Sequence, residues 1–193
     1  LCRREGVTPF MALLAAFQSL LHRYSGQASV NVGTPIACRN RAELEPLIGF
    51  FVNTLVLRAD FAGHPTFREL LRQVRETCLA AYQHQDLPFE LLVDALQPQR
   101  DLSHSPLFQV MFVLQNAPSP TLHLGDLELS PFEVESAIST ADISLIMAEE
   151  GDRLAGGLEY NTDLFDAATM QRFAQHFLNL LHAAAQDPDQ PVS

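Results

Sequence analysis

IGFFVNTLVLR, residues 48–58, is an apolar run broken by a single amide. A strand with one wet face alternates polar with apolar, so a run this apolar predicts a strand covered on both faces. Alternation places Asn53 on the same strand face as Phe51, Leu55 and Leu57. A buried amide without partners costs about 1–3 kcal/mol, so Asn53 either braces a neighbouring backbone or faces a polar channel. On residues alone both readings stand.

Upstream, SVNVGTPIA at 29–37 reads as a second strand with a glycine interruption. Before it, Thr8 offers a helix cap and Pro9 sits where a missing N–H costs nothing. Phe10, Leu13, Leu14, Phe17, Leu21 and Tyr24 then share one helix face, and Gly26 ends it. Downstream, Thr66 and Glu69 have capping-box spacing, and Phe67, Leu70, Leu71, Val74, Cys78 and Tyr82 line one side of a helix to about residue 83. In HQDLPFELL, residues 84–92, His84 stands two places before Asp86, which suggests a base with its orienting carboxylate. The same residues predict a helix start, with Asp86 as cap, Pro88 in the first turn and Glu90 as first-turn acid.

LFQVMFVLQ at 107–115 is another apolar strand, followed by a Pro-rich loop. Strands near 142–149 and 153–160 are joined as a hairpin through Glu150, Gly151 and Asp152. Asp166 caps a last helix, with Phe165 and Met170 placed as a hydrophobic staple and Phe173, Phe177, Leu180 and Leu181 as its apolar stripe. The predicted fold is α/β, a layered sandwich of several strands and three or four helices.

With 193 residues, 47% of them hydrophobic, the chain can bury a sizeable core. Only 18% are charged, below the usual share of about 25%, which leaves more surface than usual for a neighbour to cover. Twelve basic against 23 acidic residues give a net charge of −11, so nucleic acid and anionic membrane are not expected partners. Arg68, Arg72 and Arg75 recur at helical spacing and read as a solvated face. FMALLAAF is far short of the ~18 apolar residues of a membrane span. Cys2, Cys38 and Cys78 are odd in number and lack CxxC spacing, which predicts neither a disulfide framework nor a zinc site, and fits a reducing cytoplasm.

No HExxH, GxSxG or GxxxxGK[ST] occurs, and NVGTP has one glycine where a phosphate cradle needs several converging N–H groups. Asp101, Ser103 and His104 lie together, but a triad is assembled in space and loop neighbours seldom face one another. No metal site and no complete catalytic set is predicted.

Three blocks in order, IGFFVNTLVLR at 48–58, HQDLPFELL at 84–92 and RDLSHSPLFQ at 100–109, resemble the late motifs of condensation domains from nonribosomal peptide synthetases. VNVGTPIACR at 30–39 and GLEYNTDLFDAATMQRFAQHF at 157–177 extend the likeness over nearly all of the chain. The resemblance implies a pseudo-dimer of two chloramphenicol-acetyltransferase-like lobes, each a mixed sheet layered with helices, with a tunnel between them. Donor and acceptor arrive as thioesters on the phosphopantetheine arms of carrier proteins, and the acceptor amine attacks the donor. The family's HHxxxDG motif lies on the first lobe. None of the seven histidines here is adjacent to another and no HxxxDG occurs.

Residues 1–193 are therefore expected to be the C-terminal lobe, with 186–193 opening a linker toward an adenylation domain. Peptide synthesis is expected of the parent, with the N-terminal lobe, carrier proteins and an adenylation domain as partners. No catalytic residue and no directly bound cofactor is expected in this chain. The resemblance makes Asn53 the first substrate-channel residue and Thr34 the second. His84 becomes structural, because its motif position accepts asparagine, and Arg58, Arg100 and Asp101 hold local structure. His104 and Ser105 stand where the family often has arginine and asparagine; ISTADISL departs from the family wording but keeps Asp142. The stretch 117–131 is expected to form an arm toward the other lobe. Two rival readings are a noncatalytic module that recruits a carrier or neighbouring domain, and the corresponding lobe of an epimerization domain.

Overall fold

The computed structural model describes residues 1–39, 41–98, 105–115, 123–124, 127–128, 141–151 and 153–192. After a single turn, α1 (Cys2–Glu5), comes α2 (Pro9–Ser25). The Thr8 side chain accepts the Met11 amide proton and Gly26 closes the helix at φ 68°. The expected one-sided stripe is a stretch buried without interruption from Met11 to Leu21, while Tyr24 is half exposed. A helix apolar all round is buried all round, and α2 packs among α3 (Phe67–Gln83), α5 (Ala167–Gln186) and the sheet. Phe17 is its pivot, with ring centroids 6.2 Å from Phe112, 6.2 Å from Phe173 and 6.4 Å from Phe177.

The sheet has the order β2-β1-β3-β6-β7, built from β1 (Ser29–Ile36), β2 (Asn53–Asp60), β3 (Val110–Gln115), β6 (Ile143–Glu150) and β7 (Arg153–Tyr160). The two outer pairs are antiparallel and the two inner pairs parallel. Val30, Val32, Leu57, Ala59, Phe112, Leu145 and Met147 share the helix-covered face and form the core with α2, α3 and α5. β4 (His123–Leu124) and β5 (Leu127–Glu128) pair separately. The fold is the expected α/β layering on a mixed sheet.

Two strand boundaries differ from expectation. β2 starts at Asn53, because its ladder with β1 ends at the pair Ile36↔Asn53. Beyond that pair residues 48–52 have no partner strand among the described residues, and Ile48 and Phe50 are almost fully exposed. Along β2 burial alternates: Leu55, Leu57 and Ala59 are buried, Thr54 and Val56 half-buried and Arg58 exposed, so the strand is not covered on both faces. β3 starts at Val110, since Leu107 turns the chain at φ 72°.

Thr66 and Glu69 form the expected capping box, and Asp166 caps α5 through the Thr169 amide. Met170 is buried and Phe165 packs beside it against the core, as the staple requires. The segment expected to open a linker is stitched to the start of α3 over Asp187–Val192. The Phe67 and Arg68 amides donate to Gln190 and Pro188 carbonyls, the Val192 amide donates to Pro65, and the Val192 side chain is buried. Arg68 grips Asp189 and Glu5 together, so the first of the three helical arginines is an ion-pair centre, while Arg72 and Arg75 are exposed. Arg100, Asp101, Ser103, His104 and most of 117–131 lie outside the described residues.

Candidate functional site

Asn53 stands at the first position of β2, where the ladder stops and its side chain can leave the sheet. Its Nδ2 donates to the carbonyls of Gln85 at 2.8 Å and Leu87 at 2.7 Å, while Oδ1 accepts the Phe89 amide proton at 3.1 Å. Both amide protons and the side-chain oxygen are thus engaged with the HQDLPFELL segment. That segment enters α4 (Phe89–Leu96) through Pro88, whose side chain offers no cap. The helix start is capped from another strand by Asn53 instead of by Asp86, which is exposed. A proline at the cap position leaves no side-chain acceptor nearby, and a strand-end amide fills the need.

His84 ends α3 through its main chain, its amide donating to Ala81 and its carbonyl accepting from Leu87. Its side chain is exposed and makes no pair with Asp86 among the described residues.

Around Asn53 lies an open hollow of about 430 Å³ lined by Cys38, Phe50, Phe51, Thr54, Pro88 and Glu90 among others. Cys38 leaves the end of β1 at φ 49°, a left-handed conformation that costs a non-glycine residue about 1–2 kcal/mol, and its Sγ faces the Gln85 carbonyl at 3.6 Å. Arg39 follows Cys38 and stacks on Phe51, both of which line the hollow. Its guanidinium donates to the Leu44 carbonyl, to Glu45 at 3.1 Å and to Gly49 at 3.5 Å, and lies 4.2 Å from the centre of the Phe51 ring. Arg39 does not stand out in the sequence, because its partners are main-chain carbonyls of a loop and leave no side-chain pattern.

Thr34 occupies β1 opposite Leu55, on the same sheet face as Asn53 and further along the ladder. It is 4% exposed and does not line the hollow. The sheet therefore brings both expected channel residues to one end of the β1–β2 pair, with Asn53 at the opening and Thr34 beneath the surface.

A second structural link reaches the same place. A side chain on Gly33 would lie 2.4 Å from the Phe108 ring, so glycine is required for Phe108 to lie across β1. Phe108 then meets Phe89 with centroids 5.6 Å apart. The glycine read as an interruption of the strand is the seat of an aromatic ring. Among the described residues no group of His, Cys, Asp and Glu is arranged to hold a metal, and no helix is long and apolar enough to cross a membrane. The hollow is lined by apolar side chains and by the carboxylates Asp86 and Glu90, and the Asn53 amide within it is fully engaged with the 85–89 backbone.

The Condensation domain family profile matches residues 1–193, and the chain belongs to that family. It is similar to one polypeptide of the linear gramicidin synthase of Brevibacillus parabrevis, 56% identical over 195 residues, covering 100% of this chain and 2% of that polypeptide. It also resembles a four-domain nonribosomal peptide synthetase, holo-AB3403 bound to AMP and glycine, at 27% identity and a TM-score of 0.90, over 99% of this chain and 16% of that one. The X-domain from teicoplanin biosynthesis, solved in complex with OxyB, is 29% identical with a TM-score of 0.87, over 99% of this chain and 43% of the X-domain chain. The chain thus spans a small part of the synthetases it matches and less than half of the X-domain chain.

Proposed function

We propose that this chain is the C-terminal lobe of an amide-forming condensation domain of a nonribosomal peptide synthetase. One observation carries the reading: a condensation-family match over every residue, in a sequence that lacks HHxxxDG and any adjacent pair of histidines. The other lobe supplies the proton-handling histidine, and this one supplies a wall of the tunnel. Asn53 lines that wall and fixes α4, and Thr34 supports it from beneath. Exposed Phe50 and Leu87 beside Asn53, with exposed Ile48 and Leu91 on the same two segments, give an apolar surface suited to the partner lobe. Substrates come as thioesters on the phosphopantetheine arms of carrier proteins, with an adenylation domain as a further neighbour. The free thiols Cys2, Cys38 and Cys78 suit a reducing cytoplasm.

Mixing this chain with the first lobe of its parent and loaded carrier proteins tests the reading. Dipeptide formation that needs both lobes is expected; turnover by this chain without the HHxxxDG lobe would overturn it. A second reading, a recruitment module without turnover, is favoured by the likeness to the X-domain solved in complex with OxyB. Carrier or enzyme binding with no dipeptide in the same mixture would select it.

A further inference from the structure

The two outer strands of the sheet are treated differently. An exposed strand edge presents unpaired N–H and C=O groups, and natural proteins block such edges. On β2 the far end of the edge, at Arg58 and Asp60, is covered by α3. Gln73 accepts the Asp60 amide proton at 2.7 Å and donates to the Asp60 carbonyl at 3.2 Å, while Thr77 donates to the Arg58 carbonyl at 3.4 Å. On β7 no strand among the described residues pairs with the outer side.

The direction of each β7 main chain follows from one hydrogen bond. Asn161 donates its amide proton to Asp142 at 3.0 Å, in step with the pairing of β6 and β7. Odd-numbered residues of β7 therefore bond toward β6, and Leu154, Gly156, Leu158 and Tyr160 turn their N–H and C=O groups outward.

The outward row, RLAGGLEY, is self-complementary. An antiparallel copy centred with Gly156 opposite Gly156 brings outward groups onto outward groups. In that register Arg153 faces Glu159 of the copy at both ends, Leu154 faces Leu158, and Ala155 faces Gly157. A slip of one residue sets outward groups against inward ones, and a slip of two separates both charge pairs. The central Ala155, Gly156 and Gly157 carry almost no bulk, and a side chain at Gly157 would meet nothing. On the helix side, exposed Leu154 and Leu178 border an apolar hollow of about 600 Å³ between β7 and α5, open among the described residues.

We propose that the free edge of β7 docks a second copy of this chain, β7 to β7, antiparallel about a two-fold axis at Gly156, joining the two sheets into one. The charge complementarity of Arg153 with Glu159 across that axis selects a second copy as occupant, and a two-fold contact uses one surface patch twice.

Sedimentation of the 193-residue chain over a range of concentrations tests this, with circular dichroism confirming folding. A reversible monomer–dimer equilibrium is expected. Glu159→Arg, at a position opposite Ser144 in the β6–β7 ladder, weakens the dimer about tenfold by turning two attractive cross-strand pairs into repulsive ones. Combining it with Arg153→Glu restores the pairing in reversed polarity. If a reversal unfolds the chain, Leu154→Pro, which removes one outward N–H, also abolishes the dimer. A monomer at every concentration, a dimer indifferent to Glu159→Arg and Leu154→Pro, or a folded double variant no tighter than Glu159→Arg would overturn the proposal.

Discussion

The side-chain oxygen of Asn53 receives the main-chain proton of Phe89 across 3.1 Å, joining the first residue of a strand to the first residue of a helix that lies far along the chain. With the two carbonyls gripped by Nδ2, one amide defines how the segment 85–89 approaches the sheet.

Asn53→Ala leaves the Phe89 amide and two carbonyls without their partner. We expect a loss of about 1–3 kcal/mol in unfolding free energy, measured by urea titration. Asn53→Asp should do no better, because a carboxylate keeps the acceptor for Phe89 but sets negative charge against the Gln85 and Leu87 carbonyls. Amide exchange at Phe89 should speed up in the alanine variant.

Gly33→Ala forces a methyl into the Phe108 ring, and overpacking of this kind costs about 1–3 kcal/mol. Phe108→Ala removes a ring from the same place. The double variant should lose less than the sum of the two, since the alanine methyl then meets no ring. Thermal unfolding of the four proteins checks this.

Glu5 and Asp189 are both held below the usual carboxylate range. For Glu5 burial pushes upward, but hydrogen bonds from Arg4 and Arg68 outweigh it. For Asp189 the Arg68 hydrogen bond leads, against a smaller effect of burial. A group whose folded value is depressed adds stability that is complete above its unfolded value and is lost as pH falls through the folded one. Stability should therefore decline as pH drops below about 4, and Arg68→Met should flatten that decline while lowering stability at neutral pH. Melting temperatures across an acid series report both effects.

Burial pushes the Cys78 thiol up to about 11, and its side chain has no access to solvent. Since the thiolate is the reactive form, a thiol reagent at pH 8 should modify Cys2 and Cys38 in the folded chain and reach Cys78 only after unfolding. Mass spectrometry of the labelled peptides distinguishes the three sites.

What could be read from the sequence was what the chain states locally. Thr8, Thr66 and Asp166 cap helices that begin within three residues of them, so spacing alone revealed those starts. The cap of α4 comes from Asn53, far away in sequence, and no local rule separates Asp86 as cap from Asp86 as bystander. The reading of 48–58 as one strand failed at Ile48–Val52 because apolar character does not reveal where a partner strand stops; β1 ends, and the ladder ends with it. Gly33 announced a break in pattern, but the ring that needs its space belongs to another part of the chain. At Asn53 the sequence argument left brace and channel open, and the side chain braces the 85–89 backbone; Arg39 bonds to main-chain oxygens, which no side-chain spacing announces.

Arg68 clasps Glu5 on one side and Asp189 on the other. Its consequence is geometric: Glu5 and Asp189, near the two ends of the described backbone, meet at one guanidinium, so those ends are held side by side. Lengthening a surface loop between them would leave that spacing untouched.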